Sequence, residues 1–178
     1  YVLHISLCFW CSEDRNSVFC LALNRPMKDH HFKYRHLPDA QDLSVEEKNL
    51  IQAAKVVAHT AYAPYSGFKV GASALLGDGK IVVASNMENA AYPQCLCAEQ
   101  VLLSTIKSQF EDRAVLKLAV HSPDWKEKMP LSPCGSCRQI LLEKEGRQKK
   151  DLSIFLLNVK GEIWTISSVS HLLPFAFK

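Results

Sequence analysis

Regular alternation of hydrophobic and polar positions begins at Ser44. The run Ser44-Val45-Glu46-Glu47 reads as a capping box, in which the hydroxyl and the Glu47 carboxylate satisfy free N–H groups at a helix start. Leu50, Ile51, Ala54, Val57, Ala58 and Ala61 then recur at helical spacing, which predicts an amphipathic helix to about residue 62. The loop Ala63-Pro64-Tyr65-Ser66-Gly67 follows. Strand-like runs at 70–76 and 80–85 flank Gly77-Asp78-Gly79, a strong hairpin signal. Further helices are predicted at 97–109 and from Pro133 to about 145, with strands at 116–121, 152–158 and 162–166. A short terminal helix at 168–173 precedes Pro174. This order of elements describes a layered α/β domain with a mixed sheet.

The first 39 residues lack this regularity and read as an N-terminal extension, with one domain occupying 40–178. The His-rich stretch His30-His31-Phe32-Lys33-Tyr34-Arg35-His36 sits among basic residues and reads as an exposed arm. Met27 stands just before it, and the residues ahead of Met27 are expected to be dispensable and foreign to the natural product.

Composition narrows the function classes. Apolar residues make up 48% of the chain, and 21 Lys and Arg stand against 18 Asp and Glu, for a net charge of +3. That excess is too mild and too scattered for a nucleic-acid groove, so no nucleic-acid partner is expected. The densest charge run, residues 144–151, reads as a solvated turn around Gly146. No apolar stretch is long enough to span a bilayer, and no secretory signal is recognisable, so a cytoplasmic protein without a membrane partner is expected.

The seven cysteines, at 8, 11, 20, 95, 97, 134 and 137, form no even framework, which favours metal binding over disulfides. No second pair at zinc-ribbon spacing follows Cys8 and Cys11, so they are left out of the site. Cys134-Gly135-Ser136-Cys137 places two thiols one helical turn apart, 37 residues after Cys97. Both clusters sit at predicted helix starts, where free N–H groups stabilise thiolates. Three thiolates leave one tetrahedral position open for water, as in a catalytic Zn2+ site. Glu99, two residues beyond Cys97, is free to act as the acid–base group. The combination is that of zinc deaminases. Cys95, two residues from Cys97, is expected to face elsewhere.

Several further segments carry a family resemblance. They are Ala63-Pro64-Tyr65-Ser66-Gly67-Phe68-Lys69-Val70-Gly71-Ala72 and Asn86-Met87-Glu88-Asn89-Ala90-Ala91-Tyr92. To these are added Cys97-Ala98-Glu99, Ser132-Pro133-Cys134-Gly135-Ser136-Cys137-Arg138-Gln139 and Leu172-Leu173-Pro174-Phe175-Ala176-Phe177. With them, residues from about 40 to 178 resemble the homotetrameric cytidine deaminases that bind zinc through three cysteines. The resemblance implies a three-layer α/β/α sandwich with a mixed five-stranded sheet, in a homotetramer whose sites are completed by neighbouring subunits. It implies that cytidine or deoxycytidine is deaminated to uridine or deoxyuridine plus ammonia, in pyrimidine salvage. Phe68 would pack against the pyrimidine, and Asn86 and Glu88 would bind ribose hydroxyls. The Ala98 N–H would meet the base carbonyl, and Phe177 would come from a neighbouring subunit. Seen alone, Phe68 reads equally as a core aromatic and Asn86 as a turn residue.

One position departs from the family pattern, which continues Cys-Ala-Glu with Arg where this chain has Gln100. Three thiolates against one divalent cation leave a net negative charge, and Gln offers only neutral hydrogen bonds to offset it. Arg138, next to Cys137, is the nearest cation in sequence that could compensate. Rival readings are a blasticidin-type deaminase, which shares the zinc motif, and a noncatalytic zinc-stabilised scaffold. The ribose-binding pattern around Glu88 speaks against the first and Glu99 against the second.

Overall fold

The capping box closes as the sequence predicts in a computed structural model whose described residues are 31–177. Glu47 N donates to Ser44 Oγ at 3.2 Å, and Ser44 N donates to Glu47 Oε2 at 2.9 Å. Helix α1 spans Val45–Ala58. It stops short of residue 62 because the backbone of Tyr62 is taken by its neighbours. Tyr62 N donates to Asn86 O, and Glu88 N donates to Tyr62 O. The extension before residue 31, with Cys8, Cys11, Cys20, Met27 and His30, lies outside the described residues.

The strands are β1 (Tyr34–Leu37), β2 (Gly71–Leu76), β3 (Ile81–Ser85), β4 (Val115–His121), β5 (Ser153–Leu157) and β6 (Ile163–Ile166). They form one mixed sheet in the order β1-β6-β5-β4-β2-β3. The β4–β5 pair is parallel and every other pair is antiparallel. The sheet therefore has six strands rather than five. The added strand, β1, comes from the segment expected to be an exposed arm. It carries no hydrophobic alternation, since only Leu37 is buried. Its hold comes from backbone pairing with β6 and from the His36 ring, stacked on Trp164 at 4.3 Å between centroids.

Alternate residues of a strand point to opposite faces, and the sheet divides its apolar residues accordingly. Leu75, Ala119, Phe155 and Leu157 pack with Leu50, Ile51 and Ala54 of α1. Ala72, Ala74, Leu118, Val120, Ile154 and Leu156 pack with residues of α2 (Ala98–Gln109) and α3 (Gly135–Gln148). The α1 contact is close enough to require glycine at position 71. A Cβ there would lie 2.2 Å from Ala54 O and 2.6 Å from Ala58 N.

The charge run at 144–151 is not a solvated turn. Helix α3 continues through it to Gln148, and Lys144 and Glu145 are buried. Lys144 Nζ donates to Asp112 Oδ1 at 2.6 Å and to the carbonyls of Asp112 and Arg113. Glu145 accepts from Leu152 N, Val169 N and Ser168 Oγ. Each charge is buried with partners, which a residue count along the chain does not reveal. The terminal helix is a 3-10 turn, Val169–Leu172, capped by Ser168.

Candidate functional site

Helices α2 and α3 start side by side, and the residue that caps each is a cysteine. Cys97 is the N-cap of α2, and Cys134 is the N-cap of α3, where its sulfur accepts from Cys137 N at 3.5 Å. The Cys97 and Cys134 sulfurs are 4.0 Å apart. All three sulfurs, with Cys137, lie within 4.8 Å of one another, the only such metal-binding group among the described residues. Two sulfurs each ~2.3 Å from a tetrahedral zinc would stand about 3.8 Å apart, so the donor set fits that ion. The sulfurs are unequal. The Cys97 thiol is lowered to about 7, chiefly by its hydrogen bond with Cys137, whose own thiol is pushed up by that bond and by burial. Cys95 stays out of the cluster: its sulfur accepts from Asn89 N at 3.3 Å.

Glu99, in the first turn of α2, is 4% exposed, and burial raises the pKa of its carboxyl above the ordinary range. It lines a cavity of about 400 Å³ together with Cys97, Cys134 and Ala98. That volume suits a small molecule of nucleoside size. Among the described residues, the Ala98 N–H has no acceptor in the protein, as expected in the first turn of a helix.

Phe68, Asn86 and Glu88 line the same cavity, so the structure brings these three together with Cys97, Ala98, Glu99 and Cys134. Asn86 and Glu88 also hold the loop that carries Phe68. Asn86 Oδ1 accepts from Val70 N at 2.7 Å, and Nδ2 donates to Phe68 O at 3.0 Å. Glu88 Oε2 accepts from Tyr65 N at 2.9 Å and from Ser66 N at 3.3 Å, and Oε1 accepts from the Ser66 hydroxyl. The bond from Ser66 Oγ and then that from Tyr65 N hold the Glu88 pKa below the usual range, which keeps it a carboxylate.

Gln100 spans the two ligand-bearing turns. Its Oε1 accepts from Cys97 N at 3.1 Å, and its Nε2 donates to Ser136 Oγ at 3.2 Å. Arg138 is spent on two carbonyls and a hydroxyl around α3: Nε donates to Pro133 O, Nη1 to Leu172 O and Nη2 to Ser132 Oγ. Phe177 is set apart from the cavity. Its backbone is tied to the Gln139 side chain at both N and O, while the residue is 88% exposed.

Ser66 and Ser136 escaped the sequence reading, because nothing local ties Ser66 to Glu88 or Ser136 to Gln100. Met87 and Tyr92, quoted only as part of the family segment, and Leu96 also line the cavity and were given no role, since each reads as an ordinary apolar residue.

A family model described as the cytidine and deoxycytidylate deaminase zinc-binding region matches residues 44–149, more than half of the chain. The chain belongs to that deaminase family. A cytidine deaminase of Halalkalibacterium halodurans is 38% identical over 133 residues, which is 75% of this chain and 95% of the relative. Two solved structures are also similar. A cytidine deaminase from Burkholderia pseudomallei superposes with a TM-score of 0.63 at 39% identity, covering 73% of this chain and 98% of its own. One from Mycobacterium tuberculosis gives 0.60 at 36% identity, covering 76% and 99%. Membership makes the chain a zinc-dependent deaminase, with the zinc-binding region spanning both cysteine-capped helix starts.

Proposed function

We propose that the chain hydrolyses cytidine or deoxycytidine to uridine or deoxyuridine and ammonia, as a salvage enzyme of pyrimidine nucleosides. The observation that carries this reading is the convergence of three sulfurs, a buried carboxyl and a nucleoside-sized cavity at the adjoining starts of α2 and α3. Cys97, Cys134 and Cys137 would hold the zinc. When bound, the zinc would supply a water whose pKa is lowered towards neutrality. Glu99 takes one proton from the attacking water and delivers it to N3 as the water oxygen bonds to C4. It then takes the remaining proton from that oxygen and passes it to the C4 amine, which leaves as ammonia while the oxygen becomes the C4 carbonyl. The Ala98 N–H meets the base carbonyl, and Phe68 packs against the ring. Asn86 and Glu88 keep acceptor positions, and Asn86 one donor, that their loop contacts leave unused, and these face the ribose hydroxyls.

The assembly belongs to the same reading: a homotetramer of three-layer α/β/α subunits. The three layers are supported by α1 lining one apolar cluster of the sheet while α2 and α3 line the other. The homotetramer is supported by the exposed aromatic rings of Phe177 and Tyr92, the latter on the cavity rim. Phe177 enters the site of a neighbouring subunit. Among the described residues no helix is long and apolar enough to cross a membrane.

Ammonia release by the zinc-loaded protein tests the reading, with cytidine, deoxycytidine and blasticidin S as substrates. Release from both nucleosides is expected. Absence of release from either nucleoside overturns it, and release from blasticidin S alone transfers the chemistry to another substrate class.

A further inference from the structure

The loop that presents Phe68 is held from two sides, and only one side has been assigned a role. Asn86 and Glu88 hold it from the ribose side. The other hold comes from residues 122–131, in the segment between β4 and α3. There Asp124 Oδ2 accepts from Lys69 N at 2.9 Å, across 55 residues of sequence. Next to it, the Trp125 ring meets the Phe68 ring edge-on, with centroids 6.4 Å apart and planes at 73°. That is a favourable aromatic geometry, in which the positive edge of one ring meets the negative face of the other.

The segment is itself anchored, so it can act as a fixed support. Trp125 Nε1 donates to Met129 O at 2.8 Å, and Asp124 N donates to Ser122 Oγ at 3.1 Å. Its far end joins the sheet through Leu131 N, which donates to Leu157 O at 2.8 Å. Both Phe68 and Trp125 are partly buried against the apolar cluster that includes Leu131 and Ala98. Phe68 lines the cavity, and Trp125 does not.

We propose that Trp125, seconded by Asp124, is a positioning residue for nucleoside recognition: it fixes the Phe68 ring at the angle needed to receive the pyrimidine. Trp125 acts through Phe68 and touches neither the reacting atoms nor the metal ligands. This inference rests on the assignment of Phe68 to the pyrimidine. Loss of the indole leaves Phe68 free to turn in its pocket, so affinity falls while the proton-transfer groups stay in place. Asp124 contributes by fixing the backbone at Lys69, the residue after Phe68.

The test compares Trp125→Ala, Trp125→Phe, Asp124→Ala and Asp124→Asn with the native zinc-loaded protein. KM and kcat for cytidine and bound zinc are read for each. Trp125→Ala is expected to raise KM about tenfold, the size of one lost aromatic pair, with kcat within about twofold and zinc unchanged. Trp125→Phe keeps an edge for Phe68 and should recover most of the affinity. Asp124→Asn, whose Oδ1 can still accept from Lys69 N, should outperform Asp124→Ala. An unchanged KM in Trp125→Ala overturns the inference, as does a loss confined to kcat or zinc. If that variant does not fold, Trp125→Phe and the Asp124 pair decide by the same measures, and equal KM values for Asp124→Asn and Asp124→Ala count against it. A native protein that releases no ammonia from cytidine refutes the functional reading itself, and this inference with it.

Discussion

At the residue scale, the proposed mechanism turns on Glu99. Its carboxyl is buried in the first turn of α2 and is not one of the three clustered donors. Glu99→Gln preserves size and keeps a hydrogen-bonding group, so zinc content and fold should be retained. Turnover should fall by at least ~10²–10⁴-fold, the usual contribution of a positioned acid–base group. Assays of zinc content and cytidine turnover on the same sample check this, and near-native turnover at full zinc would remove Glu99 from the mechanism. Gln100 shows where reading by charge was too narrow. The Arg-to-Gln departure was visible in the sequence as a missing cation. The contacts of Gln100 instead describe a neutral brace between the Cys97 backbone and Ser136. Gln100→Ala should therefore lose zinc to a chelator faster than the native chain, while Gln100→Arg should hold it at least as well. Arg138→Gln is expected to weaken retention as well. The contacts supply a route: Arg138 holds Pro133 O and Ser132 Oγ, beside the ligand Cys134. Chelator competition on the three variants checks both expectations.

At the scale of elements, the parts with strong local signals were legible in the sequence. The capping box at Ser44, the Gly77-Asp78-Gly79 hairpin and both cysteine-headed helices fall where pattern and turn chemistry put them. What escaped depends on partners distant in the chain. Strand β1 owes its place to pairing with β6, some 130 residues away, so its own polar sequence read as an arm. The end of α3 read as solvated because Lys144 and Glu145 are charged, yet their partners lie at Asp112 and around Ser168. Buried charges of this kind persist only when fully partnered. Lys144→Met should accordingly destabilise the fold by about 2 kcal/mol, because it leaves the carbonyls of Asp112 and Arg113 without their donor and Asp112 with Arg147 as its remaining ion-pair partner. Denaturant unfolding measures this, and a change under ~0.5 kcal/mol would show that water already serves those groups.

On the scale of the whole molecule, the cavity is assembled from segments far apart in sequence: the Phe68 loop, the Asn86–Glu88 turn and the starts of α2 and α3. The sheet brings them together, since β2 and β3 carry the first two and both helices pack on the same face. In the proposed assembly, a neighbouring subunit's Phe177 closes the outer boundary of the site. Phe177 is tethered through its backbone while its ring stays exposed. Phe177→Ala should raise KM for cytidine several-fold and leave zinc content unchanged. Steady-state kinetics with light scattering checks this, because a fully active monomer would leave Phe177 without a neighbour to serve. The central claim is that one site, with one metal held by three thiols, carries out nucleoside deamination. It is tested most directly by returning zinc in steps to the metal-stripped protein while following uridine formation from cytidine. The rate should rise in proportion to bound zinc and level off at one zinc per chain. Full turnover before any zinc is returned, or none at one zinc per chain, would contradict it.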